Sequence, residues 1–141
     1  MNIKFRLLGT GSSMGVPRPD GFFGNCDPKI KKNYRTRCSA LISFDKSNIL
    51  IDTSPDLRQQ LLDARIKTIN GVLYSHFHAD QTHGINDLRN FSLNNGIKIP
   101  VYCDEITSKY LKNNFSYCFK KNYDYDPILK LYKLKKQFKI K

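Results

Sequence analysis

Along residues 3 to 8, IKFRLL, apolar and polar side chains alternate, and the period of two places Ile3, Phe5 and Leu7 on one face of a half-buried strand. Two β-rich runs, SALISFD (39 to 45) and NILIDT (48 to 53), flank Lys46 and Ser47 and predict a hairpin. The period then lengthens. Ser54 supplies a helix cap, Pro55 the first helical position, and Asp56 a charge suited to the positive end of the dipole. Leu57, Leu61 and Leu62 form the buried stripe of that helix, which ends near Arg65. GVLYS (71 to 75) reads as a continuous apolar strand, and Asp80 or Thr82 caps a helix carrying Ile85 and Leu88. KIPVYC (98 to 103) is a further strand, and Asp104 caps a helix that turns Ile106, Tyr110 and Leu111 inward. The order ββ(β)αβαβα predicts a layered α/β domain with a mixed sheet, and no internal repeat or linker interrupts it.

Composition narrows this picture. A chain of 141 residues with 40% hydrophobic side chains buries one sizeable core, so a single domain is expected and a second full domain would not fit. The opening MNIKFRLLGTG has only a short alternating stretch, and neither end carries a long apolar run. No signal peptide, no membrane span and a cytoplasmic location are therefore expected. Cys26, Cys38, Cys103 and Cys118 lie far apart without a C-x-x-C pair, which reads as ordinary buried thiols rather than a cysteine zinc site.

The net charge of +12 is unevenly spread. Residues 1 to 108 carry 14 basic and 10 acidic side chains, whereas residues 109 to 141 carry 10 lysines and 2 aspartates. A phosphate backbone needs only such a patch, but specific recognition favours arginine forks and stacking aromatics, and the tail has no arginine. A solvated lysine face is the simpler reading; nucleic-acid binding is the alternative. The loop GTGSSMG (9 to 15) resembles a phosphate cradle, yet Pro17 and Pro19 follow where a dinucleotide fingerprint needs a helix. Two readings stand for it, a tight turn leaving the first strand and a loop folded over an active site.

The chemistry concentrates in YSHFHADQTHGINDLR, residues 74 to 89, which holds all three histidines, His76, His78 and His83. His76 and His78 follow a buried strand at a spacing of two, which points both imidazoles to one side, and Asp80 extends the series to H-x-H-x-D. Imidazole and carboxylate suit a borderline divalent ion such as Zn²⁺. Two histidines and an aspartate within five residues are poorly explained by packing alone.

The stretches LGTGSSMGVP, RTRCSALI, ILIDTSPDLRQQLLDA and VLYSHFHADQTHGINDLR, with YDPILK near residue 130, resemble the metallo-β-lactamase superfamily. The likeness is to its PhnP-like branch of metal-dependent phosphodiesterases. That resemblance implies an αββα sandwich with one or two metals, Zn²⁺ or Mn²⁺, at the end of its sheets. It also implies a metal-activated water that attacks phosphorus in a phosphodiester, cyclic nucleotide-like or RNA. By the same resemblance His76 and His78 help bind the first metal, and Asp80 binds the second and orients the water. Asp52 supports the imidazoles from behind. Gln81 stands where much of the superfamily has a second-metal histidine, and an amide is the poorer zinc ligand. His83, one turn on, either substitutes for it or makes a hydrogen bond nearby.

The family fold continues into a second half that supplies a further first-metal histidine, a bridging aspartate and a final second-metal histidine, whereas no histidine follows His83 here. Residues 1 to 141 therefore read as one incomplete domain, truncated to roughly the first half of the sandwich, with weak or no hydrolase activity alone. The alternatives are a subunit completed in trans by another chain or by a homo-oligomer, and a non-enzymatic basic remnant that binds nucleic acid. A half-sandwich should expose apolar surface and an unpaired edge, with LKLYKLKKQFKIK as a last, lysine-guarded strand.

Overall fold

The computed structural model describes residues 2–134. Six strands form one mixed sheet in chain order, β1 (Ile3–Gly9), β2 (Ser39–Phe44), β3 (Ser47–Ile51), β4 (Gly71–Leu73), β5 (Ile99–Cys103) and β6 (Leu129–Lys133). The first three pair antiparallel and the rest parallel. The β2–β3 hairpin turns at Asp45 and Lys46, one residue earlier than the pattern suggested, because Asp45 takes the left-handed conformation (φ 49°) and Phe44 pairs with Ser47. The parallel strands are linked by helices: α1 (Leu57–Ala64), α2 (Ala79–Thr82), α3 (Arg89–Asn95), α4 (Glu105–Asn114) and α5 (Ser116–Phe119).

Every helix contributing to the core covers the same face of the sheet. Leu41, Leu50, Val72, Ile99, Val101 and Leu129 project from that face against Leu57, Leu61, Ile85, Leu88 and Leu111, and all are almost fully buried. This gives one β layer and one α layer, half of the expected four-layer sandwich.

The opposite face carries none of the core helices; Ala40, Ile49 and Tyr102 on it are buried, but the part formed by β1 and β2 is largely open. Cross-strand register places Ile3, Phe5 and Leu7 beside Phe44, Ile42 and Ala40, then Ile49 and Ile51, then Leu73, Tyr102 and Tyr132. Ile3, Phe5 and Leu7 are 59, 61 and 62% exposed, and Ile42, Phe44, Ile51 and Leu73 are only half-buried. The alternation in IKFRLL correctly marked a strand, but its apolar side faces outward rather than into the core. Its other side meets α1 instead, where the Arg6 guanidinium donates to the Ala64 carbonyl and Leu8 packs on the core. The expected apolar surface is therefore present on a sheet face, and β1 and β6 are the sheet's outer strands. Lys130 and Lys133 stand on β6, while residues 135–141 of the expected last strand lie outside the described residues.

Three helical stripes differ from expectation. In α1 the buried positions are Leu57, Gln60 and Leu61, spaced three and four apart, and Leu62 is 55% exposed because it falls about 100° further round the helix. Gln60 is buried without penalty since its amide donates to the Arg37 carbonyl and Thr36 hydroxyl and accepts from Ser54. In α4 Asp104 caps as expected, accepting from the Thr107 amide at 2.7 Å, but Thr107 is buried and Ile106 exposed. The helix expected to carry Ile85 and Leu88 breaks into the single turn α2, a 3₁₀ turn over Ile85–Leu88, and α3. Neither Asp80 nor Thr82 caps it; Asp80 lies in the first turn of α2, and the Thr82 hydroxyl donates to the His78 carbonyl. Cys103 and Cys118 are buried, whereas Cys26 and Cys38 are exposed, correcting the reading of all four as buried thiols. Among the described residues no helix is long and apolar enough to cross a membrane.

Candidate metal centre

Parallel pairing brings the C-terminal ends of β3 and β4 to one edge of the sheet, and the chain leaves both there in tightly bonded turns. After Ile51 the backbone of Asp52 enters the left-handed region (φ 59°), while its amide still donates to the Leu73 carbonyl. Thr53 then donates to the Gln81 carbonyl and accepts from the Gly84 amide, tying the β3 exit to the C-terminal end of α2 and the turn after it. The turn closes this tightly because residue 84 has no side chain: a Cβ there would lie 2.0 Å from the Ser54 carbonyl oxygen. The Asp52 carboxylate, 6% exposed as a residue, points back across the strand ends. It accepts the Ser75 amide on one oxygen and the Ser75 hydroxyl on the other, each at 2.7 Å. Burial pushes this carboxyl above the usual carboxylate range, and the two bonds from Ser75 oppose that rise.

From Ser75 the chain leads directly into the histidine pair. The Ser75 oxygen lies 3.0 Å from His76 Nδ1, and His76 Nε2 lies 3.0 Å from His78 Nδ1. The two rings meet edge to face with centroids 4.6 Å apart, and Phe77 between them turns to Tyr110. A tetrahedral zinc with Zn–N bonds of about 2.0–2.1 Å separates two ligand nitrogens by roughly 3.3 Å, so this pair needs to open by only a few tenths of an ångström. The spacing of the two imidazoles thus fits a shared divalent ion once the proton between them is given up.

The remaining candidate residues stand apart from that pair. Among the described residues no group of three or more His, Cys, Asp or Glu side chains comes close enough to hold an ion, so Asp80 does not join His76 and His78. The Asp80 carboxylate instead accepts from Gln81 Nε2 at 2.9 Å, and Gln81, 7% exposed, keeps its Oε1 buried without a donor. His83 lies against Tyr110, with Nε2 3.3 Å from the phenol oxygen, and its ring edge meets Phe115. Arg37 grips Asp56 through its backbone amide, Nε and Nη2, the closest contact being 2.6 Å. The glycine loop serves this arrangement: Gly9 lets residues 35 to 37 pass so close that a Cβ would meet the Arg37 carbonyl at 2.0 Å. Ser75 and Gly84 had no distinguishing mark in the sequence, since their partners Asp52 and Ser54 are more than twenty residues away.

Residues 47–141 match the model of a beta-lactamase superfamily domain. The fold is similar to the crystal structure of a diphosphatase of the PhnP family, with a TM-score of 0.81 and 32% identity, over 97% of this chain and 52% of that one. It is also similar in fold to Zn²⁺-bound PqqB from Methylobacterium extorquens, with a TM-score of 0.62 and 22% identity, over 78% of this chain and 40% of that one. In sequence it is 38% identical over 131 residues to an octanoyltransferase of Porphyromonas gingivalis, a match covering 92% of this chain and 26% of that protein. The chain therefore spans about half the diphosphatase and about a quarter of the octanoyltransferase, most of which lies outside the match.

Proposed function

The chain belongs to the beta-lactamase superfamily, and we propose that it carries the first-metal half of a hydrolase that attacks phosphorus in a phosphodiester. The observation that carries this reading is the convergence of His76 Nε2 and His78 Nδ1 to 3.0 Å at the exit of β4. Similarity to a diphosphatase supports chemistry at phosphorus, and similarity in fold to a zinc-bound protein supports Zn²⁺, with Mn²⁺ as the alternative. The chemistry a divalent ion supplies at such a pair is polarisation of a phosphoryl oxygen and a lowered pKa for water. The chain's own residues divide the remaining work. In this reading His76 and His78 hold the ion, and Asp80, whose carboxylate accepts the Gln81 amide, orients the attacking water. Asp52 backs the site from the β3 exit.

A catalytic zinc keeps three protein ligands, so two imidazoles alone predict weak binding and weak or no turnover. The test is hydrolysis of bis(p-nitrophenyl) phosphate by the purified chain with added Zn²⁺ or Mn²⁺. Expected is a rate at or near background, with any activity lost in His78→Ala. Robust turnover by the chain alone, or turnover indifferent to His78→Ala, contradicts the proposal.

The open part of the sheet face favours a second reading, in which the missing ligands arrive in trans. Exposed Ile3, Phe5 and Leu7, on a strand paired side by side with the one carrying half-buried Ile42 and Phe44, make a contiguous apolar surface of the kind that marks an interface. On this reading a second polypeptide, or a second copy, covers the face. Light scattering then shows an assembly larger than one chain that Phe5→Lys dissociates; a monomer at all concentrations argues against it.

A further inference from the structure

We infer that Ser75 is a positioning residue that transmits the support of Asp52 to His76 and sets which ring nitrogen of His76 faces a metal. The inference rests on the metal-binding reading of the histidine pair. Asp52 makes no hydrogen bond to either histidine in this structure; both its carboxylate oxygens are taken by Ser75, one by the amide and one by the hydroxyl.

Proton accounting then determines the rest. A serine hydroxyl has one proton, and here it is given to Asp52 Oδ2 at 2.7 Å. Toward His76 the Ser75 oxygen is therefore an acceptor only, so the 3.0 Å contact to Nδ1 requires Nδ1 to carry hydrogen. In the neutral ring Nε2 is then the bare nitrogen, and it is Nε2 that faces His78 Nδ1. His76 is thus held in the tautomer that a metal on Nε2 requires, and the bond from Nδ1 also restrains ring rotation. His78 has no equivalent partner on its far side in this network: its Nδ1 completes the contact with His76 and must yield that bond before it can hold an ion. The pair is asymmetric, one imidazole set in advance and one adaptable.

Ser75 itself is exposed, so the role does not come from packing. Removing its hydroxyl leaves the amide bond to Asp52 Oδ1 and the strand pairing intact.

The experiment compares the full chain with Ser75→Ala and Ser75→Thr. Zn²⁺ affinity is read by competition with a chromophoric chelator, folding by the urea midpoint, and the His76 tautomer by long-range ¹H–¹⁵N correlation of the metal-free protein. Loss of a partner behind a metal ligand typically lowers affinity roughly 10- to 100-fold, and Ser75→Ala is expected to do so while the chain stays folded, its urea midpoint lowered only as far as the loss of one hydrogen bond to Asp52 requires. Ser75→Thr, which keeps the hydroxyl, is expected to restore the affinity, and wild-type His76 to carry its proton on Nδ1. Equal affinity in wild type and Ser75→Ala, a loss that Ser75→Thr fails to restore, or a wild-type His76 protonated on Nε2 overturns the inference. If the wild-type chain binds no zinc, the metal reading fails by itself, and the tautomer measurement still decides the role of Ser75.

Discussion

Replacing Gly84 by alanine adds one methyl group, and simple expectation gives it a favourable sign. Gly84 has φ −86°, a conformation open to any L-residue. Gly→Ala at a compatible position ordinarily stabilises by about 0.4–1 kcal/mol through the unfolded chain. Space reverses that sign here. The added Cβ would sit 2.0 Å from the Ser54 carbonyl oxygen and 2.9 Å from Leu57 Cβ, and neither is the end of a flexible side chain. Relief requires residues 82–84 to withdraw by about an ångström from residues 53–54, a shift that overpacking data value at roughly 1–3 kcal/mol. The same movement breaks the bonds of Gly84 to the Thr53 carbonyl and of Thr53 to the Gln81 carbonyl, at 2.9 and 2.7 Å. Each contributes about 1 kcal/mol net. A loss of about 3 kcal/mol follows, which for a chain of this size lowers Tm by roughly 10 °C. Urea unfolding followed by far-ultraviolet circular dichroism measures it. A Gly84→Ala protein as stable as wild type, or more stable, would refute the packing argument and with it the placement of α2 against the β3 exit.

Leu61 and Leu62 provide a paired test of the α1 stripe: Leu61→Ala is expected to cost about 3 kcal/mol and Leu62→Ala less than about 1 kcal/mol in urea unfolding, and equal losses contradict the assigned face. The hydrogen bonds from Arg37 hold the Asp56 carboxyl below the usual carboxylate range. Their stabilisation is thus present above the unfolded carboxylate value of about 3.9 and disappears as pH falls through the lower folded value. The stability gap between wild type and Asp56→Asn should accordingly be constant from about pH 5 upward and close in stronger acid; a gap that widens in acid reverses the sign and rejects the pairing. Burial pushes the Cys103 and Cys118 thiols up to about 11, so iodoacetamide at neutral pH should label Cys26 and Cys38 in the native chain and all four cysteines only in denaturant.

Much of the fold was legible because it depends on local chemistry. Asp104 caps α4 where its position before an amphipathic run predicts, and His76 and His78 converge because a spacing of two after a strand leaves little alternative. What was misread depends on the other side of a contact. The alternation of Ile3, Phe5 and Leu7 specifies a strand with an apolar face but not whether anything covers that face. Leu62 and Ile106 look like stripe residues, yet a step of one position turns a helical side chain by about 100°, and Gln60 and Thr107 are buried instead. A polar residue at such a position is recognisable only once its partners, Thr36 and Arg37 for Gln60, are in place. Ser75 is the same case at the site itself: a serine beside a histidine has no mark in sequence, and its meaning comes from Asp52, 23 residues earlier. The Asp80 carboxylate likewise takes a hydrogen bond from its neighbour Gln81, a contact that the H-x-H-x-D spacing does not announce.

The central claim is that His76 and His78 hold a divalent ion together. Titration of Zn²⁺ into the metal-depleted chain by calorimetry, alongside the His76→Ala/His78→Ala double variant, tests it most directly. The account predicts a weak site near one ion per chain that is absent from the double variant. Zinc binding of the same stoichiometry and affinity in both proteins, or none in the wild type, would contradict it.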